Sequence, residues 1–389
     1  MRVEEVKDSN TSKAFLDVAR ALYKDDTNWV CPLDIDINKV FDPEGNDFYK
    51  HAEACRWILL DDNNEMIGRI AAFYDKNTLS DGDQPTGGCG FFECINSQEA
   101  ANLLFDTAKA WLQNKGVEAM DGPINFGEHD KWWGLLIDGF TQPAYEVPYN
   151  PKYYQQLFES YGFQVYYYQM GYHLDLSKEV PERFWKIAEW VAKKPGYEFK
   201  PFAFNKLEQM ANDFVSVFNE AWKDFKKDFE PLKVEYVMDF IGKNKVVLEE
   251  DFIWIAYNNG KPIAIYLMIP DVNQIFKHFN GKLHILNKLR LLYMVKTKKI
   301  TRAKGILMGV VPKFQKMGVE SAIFWHLNKA MKENLTHYTE FEFNWVGDFN
   351  PPMRKLWESL GADEAKRYIT YRYLFDRSKP FKRYPIPAE

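Results

Sequence analysis

Apolar and polar positions follow two rhythms along this chain, and the succession of rhythms runs through twice. In the first half, a short strand at residues 3–6 precedes Phe15, Val18, Ala19 and Leu22, which share one helical face behind Ser12 as N-cap. Strands at 57–60 and 67–74 flank the polar turn 61–65 and predict a hairpin. A strand at 90–95, a helix at 98–114 and a strand at 117–120 follow. After a long irregular segment come a short helix and a strand at 164–174. An amphipathic helix at 179–194 carries Phe184, Trp185, Ile187, Trp190 and Val191 and stops at Pro195-Gly196. The second half predicts a strand at 197–204, helices at 207–222 and 234–241, and hairpin strands at 252–257 and 263–269. It closes with a strand at 305–311, a helix at 321–334, a strand at 338–345, a short helix and a strand to 375. This order predicts an α/β chain with a mixed central sheet.

The repetition extends to residues. Asn150-Pro151 opens a helical segment that ends at Gly162, and Asn350-Pro351 opens one that ends at Gly361. Proline just inside a helix and glycine just past it are ordinary helix punctuation. Tyr168 and Leu174 recur as Tyr368 and Leu374, and the hairpin turn at 63–68 has a counterpart at 258–264. Three echoes in one order predict an internal duplication: a unit at 1–178, a connector helix at 179–196 and a second unit at 197–389.

Composition narrows the class. A chain of 389 residues is long enough for two cores, and a net charge of −5 argues against a surface that generally coats nucleic acid. Cys31, Cys55, Cys89 and Cys94 form no Cys-x-x-Cys pair and, behind a polar N-terminus, read as free thiols in a reducing cytoplasm. The longest apolar runs are strand-sized, so no bilayer-spanning segment is expected. His129 has no second histidine at ligand spacing, and no metal site is expected.

Between the strand at 305–311 and the following helix the chain reads Val310-Val311-Pro312-Lys313-Phe314-Gln315-Lys316-Met317-Gly318-Val319. Together with the element order, this resembles the GNAT acetyltransferase superfamily, whose signature Arg/Gln-x-x-Gly-x-Gly/Ala stands here as Gln315-x-x-Gly318-x-Glu320. The run Asn350…Trp357…Gly361 is similar to the superfamily's Asn-x-x-Ala-x-x-x-Tyr-x-x-x-Gly-Phe segment. Most of the chain also resembles the YghO-like group of GNAT-fold proteins, through Gly122-Pro123-Ile124-Asn125-Phe126, residues 134–140 and 149–154, and Pro270-Asp271-Val272-Asn273.

The resemblance implies two tandem GNAT-like (acyl-CoA N-acyltransferase) domains. It implies that the pantetheine arm of acetyl-CoA or another acyl-CoA lies along Met308, Gly309 and Val310. The diphosphate would sit on Gln315, Lys316, Met317, Gly318 and Val319, with Asn350 completing the cofactor-binding set. The physics of such a loop agrees: a strand entering a helix through a glycine turn leaves backbone N–H groups unpaired at the positive end of the helix dipole. From 272 to 319 there is no Asp or Glu against eleven Lys or Arg, a basic flank suited to an anionic cofactor. Glu320 departs from the signature and places a carboxylate among those donors. The matching place in the first unit, 95–99, has no glycine, and no cofactor is expected there.

Acyl transfer to an amine needs a base for the amine and an acid for the leaving thiolate. Trp357 stands where the resemblance implies a tyrosine acid, and Tyr368 is the substitute by type. The alternating strand 340–345 puts Glu340, Glu342 and Asn344 on one face, which makes Glu342 or Asp348 a candidate base through water. The plain alternative is that this face is only solvated or hydrogen-bonded. The insertion at 121–154 is far longer than an ordinary loop of about 4–6 residues. Asn125, Glu128, Asp130, Trp133, Tyr149 and Tyr153 in it fit an aromatic pocket for an amine-bearing acceptor, or equally the packing between two units.

The function expected is acyl-CoA-dependent N-acylation of a small-molecule or peptide amine, with CoA on the C-terminal unit. Two alternatives stand beside it: an aminoacyl-tRNA-dependent transferase resembling the Fem proteins, and a non-catalytic GNAT-fold binding or regulatory protein. Ile285, Leu286, Leu289, Leu292 and Tyr293 sit at helical spacing among Lys288, Arg290 and Lys296. This pattern suits an interfacial helix, but more often a core helix with a basic outer face, so no stable membrane association is expected.

Overall fold

The computed structural model describes residues 1–79, 84–128, 131–223, 229 and 231–386. The N-terminal unit begins with β1 (Arg2–Glu5), α1 (Ser9–Leu22), α2 (Asp34–Val40), β2 (Ala52–Leu60), β3 (Met66–Asp75) and the short α3 (Lys76–Leu79). It continues through β4 (Thr86–Cys94), α4 (Gln98–Gln113), β5 (Ala119–Gly122), β6 (Leu135–Asp138), α5 (Tyr154–Tyr161) and β7 (Gln164–Asp175). Helix α6 (Glu182–Ala192) leads to β8 (Tyr197–Pro201), α7 (Leu207–Trp222), α8 (Val234–Asn244), β9 (Ile253–Asn258) and β10 (Lys261–Pro270). The short α9 (Asn273–Phe276), α10 (Ile285–Lys296), β11 (Arg302–Val310), α11 (Val319–Glu333), β12 (Glu340–Gly347), α12 (Pro351–Ser359) and β13 (Asp363–Leu374) complete the chain.

Caps move some expected boundaries. Helix α1 starts a turn before Ser12, because the Asp8 carboxylate accepts from Thr11 N at 2.8 Å while Thr11 Oγ1 accepts from Asp8 N at 3.1 Å. A reciprocal cap of this kind is worth about 1 kcal/mol. The two Asn-Pro segments have diverged. Asn350 caps α12 by accepting from Met353 N at 3.4 Å, whereas Asn150 accepts from Leu136 N at 2.7 Å and donates to Leu136 O at 3.1 Å. Both helices still close on a left-handed glycine, Gly162 at φ +109° and Gly361 at φ +86°.

The strands join one sheet in the order β1-β2-β3-β4-β5-β13-β7-β12-β11-β10-β9-β8, with β6 beside β13. The two units exchange their last strands. β13, from the C-terminal unit, pairs with β5, and β7, from the N-terminal unit, pairs with β12. At the centre β7 and β13 run antiparallel with Tyr168 opposite Ile369 and Gln169 opposite Tyr368. That register is the one a twofold axis relating residue i to residue i+200 requires, so the repeat in the sequence becomes a symmetry element in the sheet.

In each unit one parallel pair parts early. β4 pairs with β5 from Thr86 to Gly88, and β11 pairs with β12 from Arg302 to Gly305. The wedge beyond is treated differently in the two units. In the first, Ile124 N donates to Cys89 O at 2.9 Å, and a Cβ on Gly90 would lie 1.8 Å from Ile124 O, so the segment after β5 fills the gap and demands glycine opposite. Tyr154 Oη accepts from Cys94 N at 2.8 Å and Tyr153 Oη donates to Cys94 O at 2.7 Å, so the end of β4 is closed by tyrosines.

Helix α10 is not the core helix its pattern favours. None of its residues is buried; Leu291, Met294 and Val295 touch the core while Ile285, Leu286, Leu289, Leu292 and Tyr293 stay exposed. Both its sides are apolar, and a helix on the outside of one sheet layer has only one side to bury. Among the described residues no helix is long and apolar enough to cross a membrane.

Candidate active site

A cavity of about 100 Å³ lies between the end of β4, the segment ahead of α2 and the long insertion. Its walls include Trp29 and Leu33 ahead of α2, Phe91 and Glu93 on β4, and Trp132, Tyr145 and Tyr149 from the long insertion. Asn273 reaches it from the C-terminal unit. At its base Arg69 on β3 is the register partner of Glu93 on β4, with Arg69 Nη2 3.4 Å from Glu93 Oε1 and both residues buried. Arg69 Nη1 also donates to Phe15 O at 2.7 Å, and its guanidinium lies 4.7 Å from the Phe15 ring centroid. Tyr154 Oη donates to Glu93 Oε2 at 2.8 Å, and the Tyr23 hydroxyl is a further hydrogen-bonding neighbour.

Burial pushes the Glu93 carboxyl above the usual range, against the opposing pull of Arg69 and the two tyrosines. Asp36, also in the wall, is raised by burial while Tyr145 Oη donates to its Oδ2 at 2.9 Å. Glu146 adds a third carboxylate, paired with Lys131 at 3.5 Å. With Arg69 set against Glu93 and Lys131 against Glu146, Asp36 leaves the aromatic wall with one acid in excess, a setting that suits a cation.

The sequence candidates distribute unevenly over this geometry. Tyr149 lines the cavity and donates to Asp26 Oδ2 at 2.8 Å. Tyr153 is spent on Cys94 O, and Trp133 Nε1 donates to Tyr167 Oη at 2.8 Å within the first unit. Glu128 pairs with Lys131 at 2.9 Å and accepts from Tyr236 Oη at 3.2 Å. Asn125 is buried, with Oδ1 lacking a partner among the described residues. Asp130 and His129 lie outside the described residues. The insertion is thus both cavity wall and joint between the units.

Glu342 does not face the cavity. It is buried between Lys366 Nζ at 2.7 Å and Arg302 Nη1 at 3.4 Å, and Arg302 Nη2 also holds Asp271 at 2.6 Å. Burial alone would raise its pKa, but Lys366 and Arg302 outweigh that and hold it below the usual range. This network ties the insertion down: Lys304 Nζ donates to Tyr145 O at 2.8 Å and Asp271 Oδ1 accepts from Tyr145 N at 2.8 Å. Asp348 accepts from Tyr168 N at 3.2 Å and from Arg383 Nη2 at 2.7 Å, and Tyr368 is fully buried on β13.

The C-terminal wedge holds the predicted loop. Lys316 at φ +61° and Gly318 at φ +79° turn the chain into α11, whose first helical bond is Ala322 N to Gly318 O, leaving the amides of 319–321 free of helix partners. Met308, Gly309 and Val310 end β11 beside it, and Gln315 Nε2 donates to Val310 O at 3.1 Å. Free amides, a splayed strand pair and the exposed Lys313 and Lys316 suit a diphosphate and its arm. Glu320 opposes them, since its carboxyl is raised by burial and bonds its own amide. A Cβ on Gly309 would meet the Trp222 ring at 2.3 Å, so this wedge is apolar where the other is charged.

Residues 69 and 93 escaped the sequence reading, although each is a lone charge in an otherwise apolar strand, Ile67-Gly68-Arg69-Ile70-Ala71 and Gly90-Phe91-Phe92-Glu93-Cys94. Two lone opposite charges in neighbouring buried strands are the signal that was available. Among the described residues no cluster of His, Cys, Asp or Glu is arranged to hold a metal.

Comparison with known proteins places the fold. No family model matches the chain. A bacterial ceramide synthase from Caulobacter vibrioides is 27% identical over 382 residues, covering 95% of this chain and 97% of that protein. Protein YghO from Escherichia coli is 25% identical over 383 residues, covering 93% and 92%. Among solved structures, a tandem GNAT protein from the clavulanic acid biosynthesis pathway aligns over 97% of this chain and 100% of its own with a TM-score of 0.55 at 9% identity. The GCN5-related glucosamine N-acetyltransferase region of a fungal β-N-acetylglucosaminidase aligns over 96% of this chain and 38% of its own with a TM-score of 0.57 at 11% identity. The chain has a tandem GNAT fold and resembles the YghO-like proteins over most of its length.

Proposed function

We propose that this protein transfers an acyl group from a thioester to the amine of a long-chain substrate, with Glu93 as the base. The observation that carries the reading is the buried Glu93 carboxyl, raised by burial, at the base of an acidic aromatic cavity. The full-length relative named as a ceramide synthase supports an amine acceptor on a long chain, because a ceramide is the amide of such an amine. The fold supports N-acyl transfer.

Asp36 and Glu146 draw the ammonium form of the acceptor into the cavity, and the aromatic wall packs against its chain. Glu93 takes one ammonium proton, and Tyr154 and Arg69 hold its two oxygens in place for that transfer. A bound acyl-CoA supplies the activated carbonyl, and the second nitrogen proton leaves with the thiolate, so the products are a neutral amide and a thiol. A carboxylate of raised pKa is suited to this step, since it lies nearer the working pH than an ordinary one. Glu342, stabilised as an anion by two cations, is the weaker base.

A second reading places transfer in the C-terminal wedge, favoured by the left-handed Gly318 and the free amides behind it. The two places are separate: five strand spacings lie between β4 and β11, about 24 Å. One assay divides them. Long-chain amine is incubated with acyl-CoA, and separately with aminoacyl-tRNA, and the amide is measured by mass spectrometry. With acyl-CoA, Glu93→Gln is expected to lose about 100-fold or more in kcat while Gly318→Trp keeps activity. Activity retained in Glu93→Gln and lost in a folded Gly318→Trp moves the reaction to the C-terminal wedge, and no amide with either donor overturns the enzyme reading.

A further inference from the structure

Helix α10 exposes an apolar stripe that nothing among the described residues covers. Ile285, Leu286, Leu289, Leu292 and Tyr293 are 46–68% exposed. At about 100° per residue they project within a stripe roughly 120° wide, opposite the face formed by Leu291, Met294 and Val295. The helix is therefore seated on the protein by one apolar side and offers a second to its surroundings. Exposed cations frame that second side: Lys282 before the helix, Arg290 and Lys296 on it, and Lys298 and Lys299 after it. No Asp or Glu occurs between 272 and 319.

We propose that α10 docks this protein on an anionic lipid bilayer, lying in the interface with its apolar stripe among the acyl chains and its cations at the headgroups. The charge distribution selects this occupant. A second copy docked with α10 against α10 would set cation against cation, because the segment carries no Asp or Glu. An anionic membrane offers both apolar depth and negative charge over the length of a helix.

The position of α10 gives the docking a use. Gly281, four residues before the helix, abuts the 32–34 segment: Asp34 N donates to Gly281 O at 2.8 Å, and a Cβ there would lie 2.8 Å from Pro32 O. Pro32 and Leu33 are walls of the Glu93 cavity. The segment leading into α10 is thus tied to the wall of that cavity, and a long-chain amine is expected to reach the cavity from a membrane held by α10. This last step rests on the proposed function; the docking does not.

Sedimentation with vesicles of phosphatidylglycerol and phosphatidylcholine, against vesicles of phosphatidylcholine alone, tests it. The protein is expected in the pellet with the anionic vesicles, in amounts that fall as salt rises. Leu289→Glu, at an exposed position that leaves the fold intact by circular dichroism, is expected to reduce pelleting about tenfold. Glu93→Gln is expected to pellet like the unaltered protein, which separates failure of docking from failure of the catalytic reading. Protein left in the supernatant overturns the proposal, as does equal binding to neutral vesicles. A dimer by light scattering that Leu289→Glu dissociates overturns it in favour of a second copy.

Discussion

Arg69 and Glu93 face each other across β3 and β4, and their counterparts at the same hairpin positions of the second unit, Ile265 and Gly309, are register partners too. Duplication preserved the pairing of these two places and divergence changed their chemistry. One wedge buries an ion pair under a cavity, and the other buries Ile265 and Gly309 against Trp222. The two halves of one fold carry different chemistry at the same place.

Glu93 titrates against its burial. Its folded pKa lies above the ordinary 4.5, so the folded state holds that proton more tightly than the unfolded chain. The stability this group contributes is fully present below the unfolded value and is lost as pH rises through the raised one. Base catalysis runs the opposite way, with kcat/KM rising over the same interval. Glu93→Gln is expected to flatten both profiles, measured by thermal melts and initial rates across pH.

Glu342→Gln separates structure from chemistry. Removing the anion leaves Lys366 and Arg302 buried with less compensation, at a cost of about 3–5 kcal/mol. The midpoint of denaturation is expected to fall while kcat per folded molecule stays close to that of the unaltered protein. A large loss of kcat in protein shown to be folded would return Glu342 to the reaction.

The exchange of β7 and β13 makes each unit depend on the other. Residues 1–178 produced alone lack the strand beside β5, and residues 197–389 lack the strand beside β12. Each fragment is expected to be unfolded or aggregated by circular dichroism and size exclusion, and the two produced together to assemble. An isolated fragment with a cooperative melt contradicts this.

Glu320 should weaken anion binding at the start of α11. Its carboxyl is raised by burial, so lowering the pH through that raised value neutralises it. On the second reading, with CoA at the C-terminal wedge, its affinity by calorimetry is expected to increase as pH falls, and Glu320→Gln to raise it about two- to fivefold at neutral pH. An unchanged affinity in the variant places the carboxylate away from the ligand.

The sequence by itself determined the elements and the duplication. The helix 207–222 matches α7, and the hairpin strands and the closing glycines Gly162 and Gly361 fall where local patterning puts them, because propensity and periodicity act within a few residues. Even there Asp8 displaced Ser12 as cap, since two serine- or aspartate-type candidates compete and only geometry chooses. The tertiary structure decided the rest. Strand exchange depends on which edges meet across 200 residues, and no local pattern encodes an edge. Glu342 looked like a free carboxylate because its cations come from β11 and β13, whereas Glu93 looked like a strand residue because its partners Arg69, Tyr154 and Tyr23 come from three other elements. The stripe on α10 was visible as a period, but whether a neighbour covers it depends on which layer the helix joins. Contacts between distant segments set burial, and burial sets how each charged group is compensated and which apolar face stays exposed.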